Sequence, residues 1–187
     1  MVEDGAGGDG GLHVLDVSDP GAPAEVALFY GGSSIVHDVY VRDGLAFVSH
    51  WDAGLIILDV GNGIRSGSPS DPVEVGRVVT GGGRVHNAWY WPGGDSVFVG
   101  EERFPTPGLP GSEGVLHVVD ASDLANPVEV ATFGVPGDTP HNFWLDEDRQ
   151  ILYAAWYDAG LRAIDVGGEL SGNLAAQGRE LGYVIPS

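Results

Sequence analysis

The chain has no lysine and no cysteine. Its eight basic residues are all arginine and face twenty-seven Asp and Glu, a formal net charge of −19 over 187 residues. Nucleic acids and anionic membranes are held mainly by clustered Lys and Arg, so both are excluded as partners, while cations and basic partners stay open. The missing cysteines exclude disulfides, thiolate metal sites and a cysteine nucleophile, and leave the redox compartment unread. Chemistry then falls to His, Asp and Glu. No apolar run approaches the length that spans a bilayer. Met1 to Gly11 is rich in Gly and acid, without a basic n-region or apolar h-segment. The expectation is no membrane insertion, no export signal in the chain as given, and a flexible stretch over residues 1–10. A folded domain this acidic is suited to high salt, where its self-repulsion is screened; a genome favouring Arg codons accounts equally well for the missing Lys.

A long apolar stripe of helical period is also missing. In its place stand 31 Gly and 12 Pro within a chain that is 43% hydrophobic, a composition that fits many short strands joined by tight turns. The most informative feature is self-similarity. GLHVLD at 11–16, GLIILD at 54–59, VLHVVD at 115–120 and GLRAID at 160–165 align without gaps, and their shared Asp16, Asp59, Asp120 and Asp165 fall 43, 61 and 45 residues apart. The long interval carries one insertion, FPTPGLPGSEG at 104–114. Ahead of three of these cores stand VHDVYV at 36–41, VHNAWYW at 85–91 and PHNFWLD at 140–146, each followed by an apolar run. After the cores come PAEVALF, PVEVGRVV, PVEVATF and, more weakly, RELGYVI.

One unit therefore reads as four short strands: A from the His, B of the LAFVSHW type, C of the LxxxD type, and D of the PVEV type. Arg42-Asp43-Gly44 and Pro92-Gly93-Gly94 mark the A–B hairpins. The four C-strand Asp residues suit caps of the C–D turn. A four-stranded antiparallel unit repeating at about 40 to 45 residues is the signature of a β-propeller blade. The C-strand and turn, LHVLDVSDP with LIILDV and LHVVDASD, resemble the LVIVD-repeat β-propellers over roughly residues 11 to 186. The resemblance implies an all-β propeller fold and a secreted or cell-surface setting; it supplies no catalytic residue set. The expected domain is a single propeller part over 11–187, with a half blade at 11–30 and complete blades at 35–80, 84–134 and 139–186. Closed propellers usually have four to eight blades, so about three and a half predict either part of a longer ring or a homodimer that completes one.

In such a blade strand A is innermost, and the start of A and the end of B meet at one mouth of the channel. His37, His86 and His141 each open an A strand. His50, Trp51 and Asp52, then Glu101 and Glu102, then Trp156, Tyr157 and Asp158 end the B strands. The insertion rims the same face. Neutral imidazoles beside carboxylates suit Zn, Cu or Fe, so His37, His86, His141 and Glu101 form a candidate metal set, with His50, Trp51, Asp52, Glu102, Trp156, Tyr157 and Asp158 as candidate ligand-mouth residues. A second reading has each His bonding a neighbouring blade's backbone as part of the repeat, with Asp38, Asn87 and Asn142 closing the turns. Ser33, Ser34 and Ser49 lie in sequence near His37 and His50, but no nucleophile elbow accompanies them. The leading expectation is a non-catalytic scaffold that binds a protein or small-molecule ligand at the mouth. The alternative is a metal-dependent hydrolytic or oxidative enzyme or metal-binding protein, with Glu101 as ligand or general base.

Overall fold

The structure, a computed structural model, describes residues 9–32 and 34–186. Ser33 and residues 1–8, most of the stretch expected to be flexible, lie outside them. Asp9 and Gly10 are tied down: the Asp9 carboxylate accepts from the Gly11 amide and the Tyr30 hydroxyl, and the Gly10 carbonyl accepts from Val36.

Strands β1 (Leu12–Asp16) and β2 (Ala24–Phe29) form a two-stranded antiparallel sheet. A four-stranded sheet follows, built in order from β3 (Asp38–Arg42), β4 (Leu45–His50), β5 (Gly54–Asp59) and β6 (Val73–Val78). Next come β7 (Val85–Trp91), β8 (Ser96–Glu101), β9 (Leu116–Asp120) and β10 (Val128–Phe133), again sequential neighbours. The last sheet pairs β11 (Pro140–Asp146), β12 (Ile151–Trp156), β13 (Gly160–Asp165) and β15 (Glu180–Val184). Between the last two of these, β14 (Gly172–Asn173) crosses back and adds in parallel to β10 of the preceding sheet. The described residues form part of a β-propeller, three four-stranded blades and half of another, with β3, β7 and β11 as adjacent A strands.

Local chemistry explains these elements. Asp43 and Gly44 both have positive φ, 52° and 73°, the backbone that a two-residue hairpin turn requires between right-twisted strands. The Gly that opens the C strand recurs for a steric reason. At Gly54 and Gly160 φ is 89° and 77°, and a Cβ would run into the carbonyl of Val78 or Val184 on the neighbouring D strand. Each C-strand Asp does accept from the amide two residues on: Ser18, Gly61, Ser122 and Gly167. Asp59 goes further, since the loop after it wraps the carboxylate and adds the Gly63, Arg65 and Gly67 amides, which hold its pKa well below the usual range.

The core lies between sheets. β4, β5 and β8 are buried at every residue, so alternate residues face opposite neighbours. Leu45, Phe47, Leu55 and Ile57 pack against Val85, Ala88, Tyr90, Val97 and Val99 of the next blade. Ala46, Val48, Ile56 and Leu58 pack toward Leu12 and Val36 on the other side. The last blade covers its predecessor with Phe143, Leu145, Leu152, Ala154 and Trp156, while its other face leaves Trp144 54% and Leu161 45% exposed. Position in the stack therefore sets the energetic weight of equivalent aromatics. Phe47→Ala is expected to cost about 3–5 kcal/mol through lost transfer and a cavity, and Trp144→Ala less than about 1 kcal/mol. Urea unfolding of both variants checks this ordering.

Candidate functional site

The starts of the three A strands converge. His37 and His86 have ring centroids 4.2 Å apart, and so do His86 and His141. The row continues at both ends. Trp51 stacks on His37 at 5.2 Å, Tyr157 meets His141 edge-on at 5.2 Å, and Phe104 packs on Tyr157 at 5.0 Å. Six rings contributed by three blades thus cross the mouth side by side. His37, His86, His141 and Glu102 line a pocket of about 390 Å³ together with Asp38 and Asn142.

Backbone pairing fixes His37. The His37 amide donates to the Ser49 carbonyl at 2.8 Å. His37 Nδ1 lies 3.1 Å from the His86 carbonyl oxygen; a carbonyl only accepts, so Nδ1 donates this bond. His86 is buried, and its Nδ1 has no hydrogen-bond partner among the described residues. Its Nε2 stands 3.9 Å from a Glu102 carboxylate oxygen. Burial, then the neighbouring His37 and His141, push the His86 pKa down to about 4, so the ring is neutral at physiological pH. The Tyr157 hydroxyl donates to the other Glu102 oxygen, tying the third blade's carboxylate to the fourth blade. Burial and that hydrogen bond push the Tyr157 phenol up to about 12. One ligand atom each from His37, His86 and Glu102 lie within 4.8 Å of one another.

The B-strand ends divide into two sets. His50, Glu101 and Trp156 are the last strand residues, and all three are buried between blades. Their successors Trp51, Glu102 and Tyr157 carry the side chains at the mouth. The structure therefore separates Glu101 from the histidines: its carboxylate meets His117 Nε2 at 3.3 Å and Arg103 Nε at 3.2 Å, and accepts from the Val115 amide. His117 also lies 3.3 Å from Glu129. Trp156 packs edge-on against Phe133 in the core. His50 is fully buried against Gly31 and Ile56, and neither ring nitrogen has a hydrogen-bond partner among the described residues. Asp52 is exposed and lies toward Gly83 rather than the imidazoles, and Asp158 is exposed in the turn after β12. A period of two explains the split, because consecutive strand residues face opposite sides. Trp51 adopts φ of 32°, an unfavourable conformation for a bulky residue; its carbonyl accepts from Val85 on the next blade. The insertion was expected to rim this face; that Phe104 is the residue of it that meets Tyr157 is shown only by the fold.

A protein-family model described as LVIVD repeat matches residues 6–29, 33–80 and 112–134, about half of the chain. The chain belongs to the LVIVD-repeat family. The matched segments carry β1 through β6 and then β9 and β10, whereas β7, β8 and the last blade continue the same architecture outside them. No curated protein matches the chain.

Burial of His50 has a consequence for acid stability. Desolvation lowers its folded pKa, while the unfolded ring takes a proton near pH 6.5. The unfolded state then binds more protons below that pH, so stability falls as the pH drops from about 6.5, and His86 acts with the same sign. Urea midpoints are expected to decline from pH 7 to pH 5, with a shallower decline in His50→Leu. An unchanged slope in that variant would mean that His50 titrates alike in both states.

Proposed function

We propose that this LVIVD-repeat protein is a binding scaffold whose channel mouth captures a divalent transition-metal ion through His37, His86 and Glu102. The observation that carries the reading is the clustering of one ligand atom from each within 4.8 Å. Ligands of one ion at bond lengths of about 2.0–2.2 Å stand roughly 3–4 Å apart, so small side-chain movements would close the cluster. Neutral imidazole and carboxylate suit Zn, Cu or Fe, and a chain of net charge −19 attracts cations to the opening. The low His86 pKa supports the same reading, since a ligand His must be neutral.

The remaining neighbours have roles beside the ion. Tyr157 orients Glu102, as outer-shell hydrogen bonds orient metal-binding carboxylates. Trp51, Tyr157 and Phe104 extend the row of rings beyond the pocket, and three protein ligands would leave a coordination position for a small-molecule or protein ligand. A second reading, a metal-dependent enzyme, draws on that open position and on His141, which stands beside His86 and would serve as a proton acceptor if an ion held there supplied an activated water. In this reading His141 replaces Glu101, which is engaged with His117 and Arg103.

Titration of the metal-free protein with Co²⁺ and Zn²⁺, followed by cobalt absorbance and calorimetry, tests the proposal. One ion per chain is expected. His86→Ala is expected to weaken binding by more than 100-fold, beyond the roughly 10–100-fold typical of outer-shell changes, and Tyr157→Phe by about 10-fold. Glu101→Gln is expected to leave the cobalt spectrum unchanged. Binding that survives His86→Ala, or no stoichiometric ion, overturns the proposal; metal-dependent turnover lost in His141→Ala selects the second reading.

A further inference from the structure

β1 corresponds by repeat to β5, β9 and β13, and β2 to β6, β10 and β15. In the three complete blades the C strand is paired on both edges, by B on its inner side and D on its outer side. β1 is paired by β2 alone among the described residues. Its inner edge, where a B strand pairs in every other blade, presents backbone N–H and C=O groups to any strand that reaches it.

The surface beside this edge repeats the message in side chains. Val39 and Val41 on β3 occupy the positions held by Ala88 and Tyr90 on β7 and by Phe143 and Leu145 on β11. Those four are covered by the preceding blade, Tyr90 and Leu145 being 8% and 4% exposed, whereas Val41 is 59% exposed. An apolar groove of about 400 Å³ runs between β1 and this face, lined by Leu12, Val14, Leu15, Val39, Val41 and Ala46 among others. It is continuous with the packed interface of Leu12, Val36, Ala46 and Val48 beneath it. Among the described residues, the pattern is that of an inter-blade interface with its outer strands and without its inner two.

We infer that the groove is a docking site for an A–B β-hairpin of the same repeat type, two short antiparallel strands with apolar residues at alternate positions. Its second strand pairs with the inner edge of β1 by β-augmentation, and one of its faces covers Val39 and Val41. A second copy of the chain is a poorer fit. Each of its A–B hairpins is already paired within its own blade as β3–β4, β7–β8 or β11–β12, so a two-copy ring would still lack the inner strands of both half blades.

The probe is a synthetic peptide of residues 36–51, the chain's own A–B hairpin, added to the full chain and followed by calorimetry and amide hydrogen exchange. One peptide per chain is expected, with slowed exchange at residues 12–16. Val41→Asp in the protein is expected to weaken binding at least about tenfold, the loss of burying one valine. Because Val41 is exposed, the variant should unfold at the wild-type urea concentration. No binding, or protection elsewhere than β1, overturns the inference. Light scattering that finds a stable dimer with residues 12–16 already protected also overturns it, in favour of a second copy as the occupant.

Discussion

Apolar packing between successive sheets is the constraint on which this molecule depends. A sheet with one solvated face shows alternating apolar and polar residues, yet β4, β5 and β8 are buried at every position. Such a sheet gains its stability only when sandwiched. Phe47 and Ile57 look to one neighbour while Val48 and Ile56 look to the other, so each of the two middle blades is half of two interfaces. The short strands, tight turns and glycines that meet neighbouring carbonyls all serve to keep sheets of equal size in close stacking.

The same alternation builds the mouth. Each B strand sends its last residue between blades and the next into the channel opening, so one residue of displacement decides whether a carboxylate becomes structural or available. Glu101 and Glu102 are chemically alike, but the first is enclosed with His117 and Arg103 while the second faces His86 under the Tyr157 hydroxyl. Because β3, β7 and β11 lie side by side, a His at the same place in each repeat generates a row of imidazoles in contact. Burial, and then their closeness, keeps His86 neutral. Electrostatics at the site thus follows from repetition of a backbone register.

Much of the architecture could be read from the chain alone because repetition multiplies weak signals. A single LxxxD segment says little, but four in register, each with its following turn, define C strands, and His37, His86 and His141 mark the A strands with equal economy. Placing those three together required only the propeller's radial order. The division within the B-strand ends was harder. His50, Trp51 and Asp52 are contiguous, and a sequence window treats them as one cluster; the point at which the strand stops alternating is set by the Trp51 backbone, which no composition signal marks. The contact of Phe104 lay beyond sequence reading for another reason: the insertion was expected at the rim, but its neighbour Tyr157 is supplied by a different blade. The β14 crossover was likewise invisible, being two residues with no strand pattern of their own.

That crossover gives the chain a mechanical property. After β13 the backbone leaves its own blade, lays Gly172 and Asn173 along β10, buries Leu174 in the preceding interface through a bond from its amide to Thr132, and only then returns as β15. The outermost strand of the last blade is reached by way of its neighbour. Peeling that blade from the stack therefore requires extracting the latch from the blade before it, which joins the two into one cooperative unit where simple edge-to-edge repeats would fray one at a time.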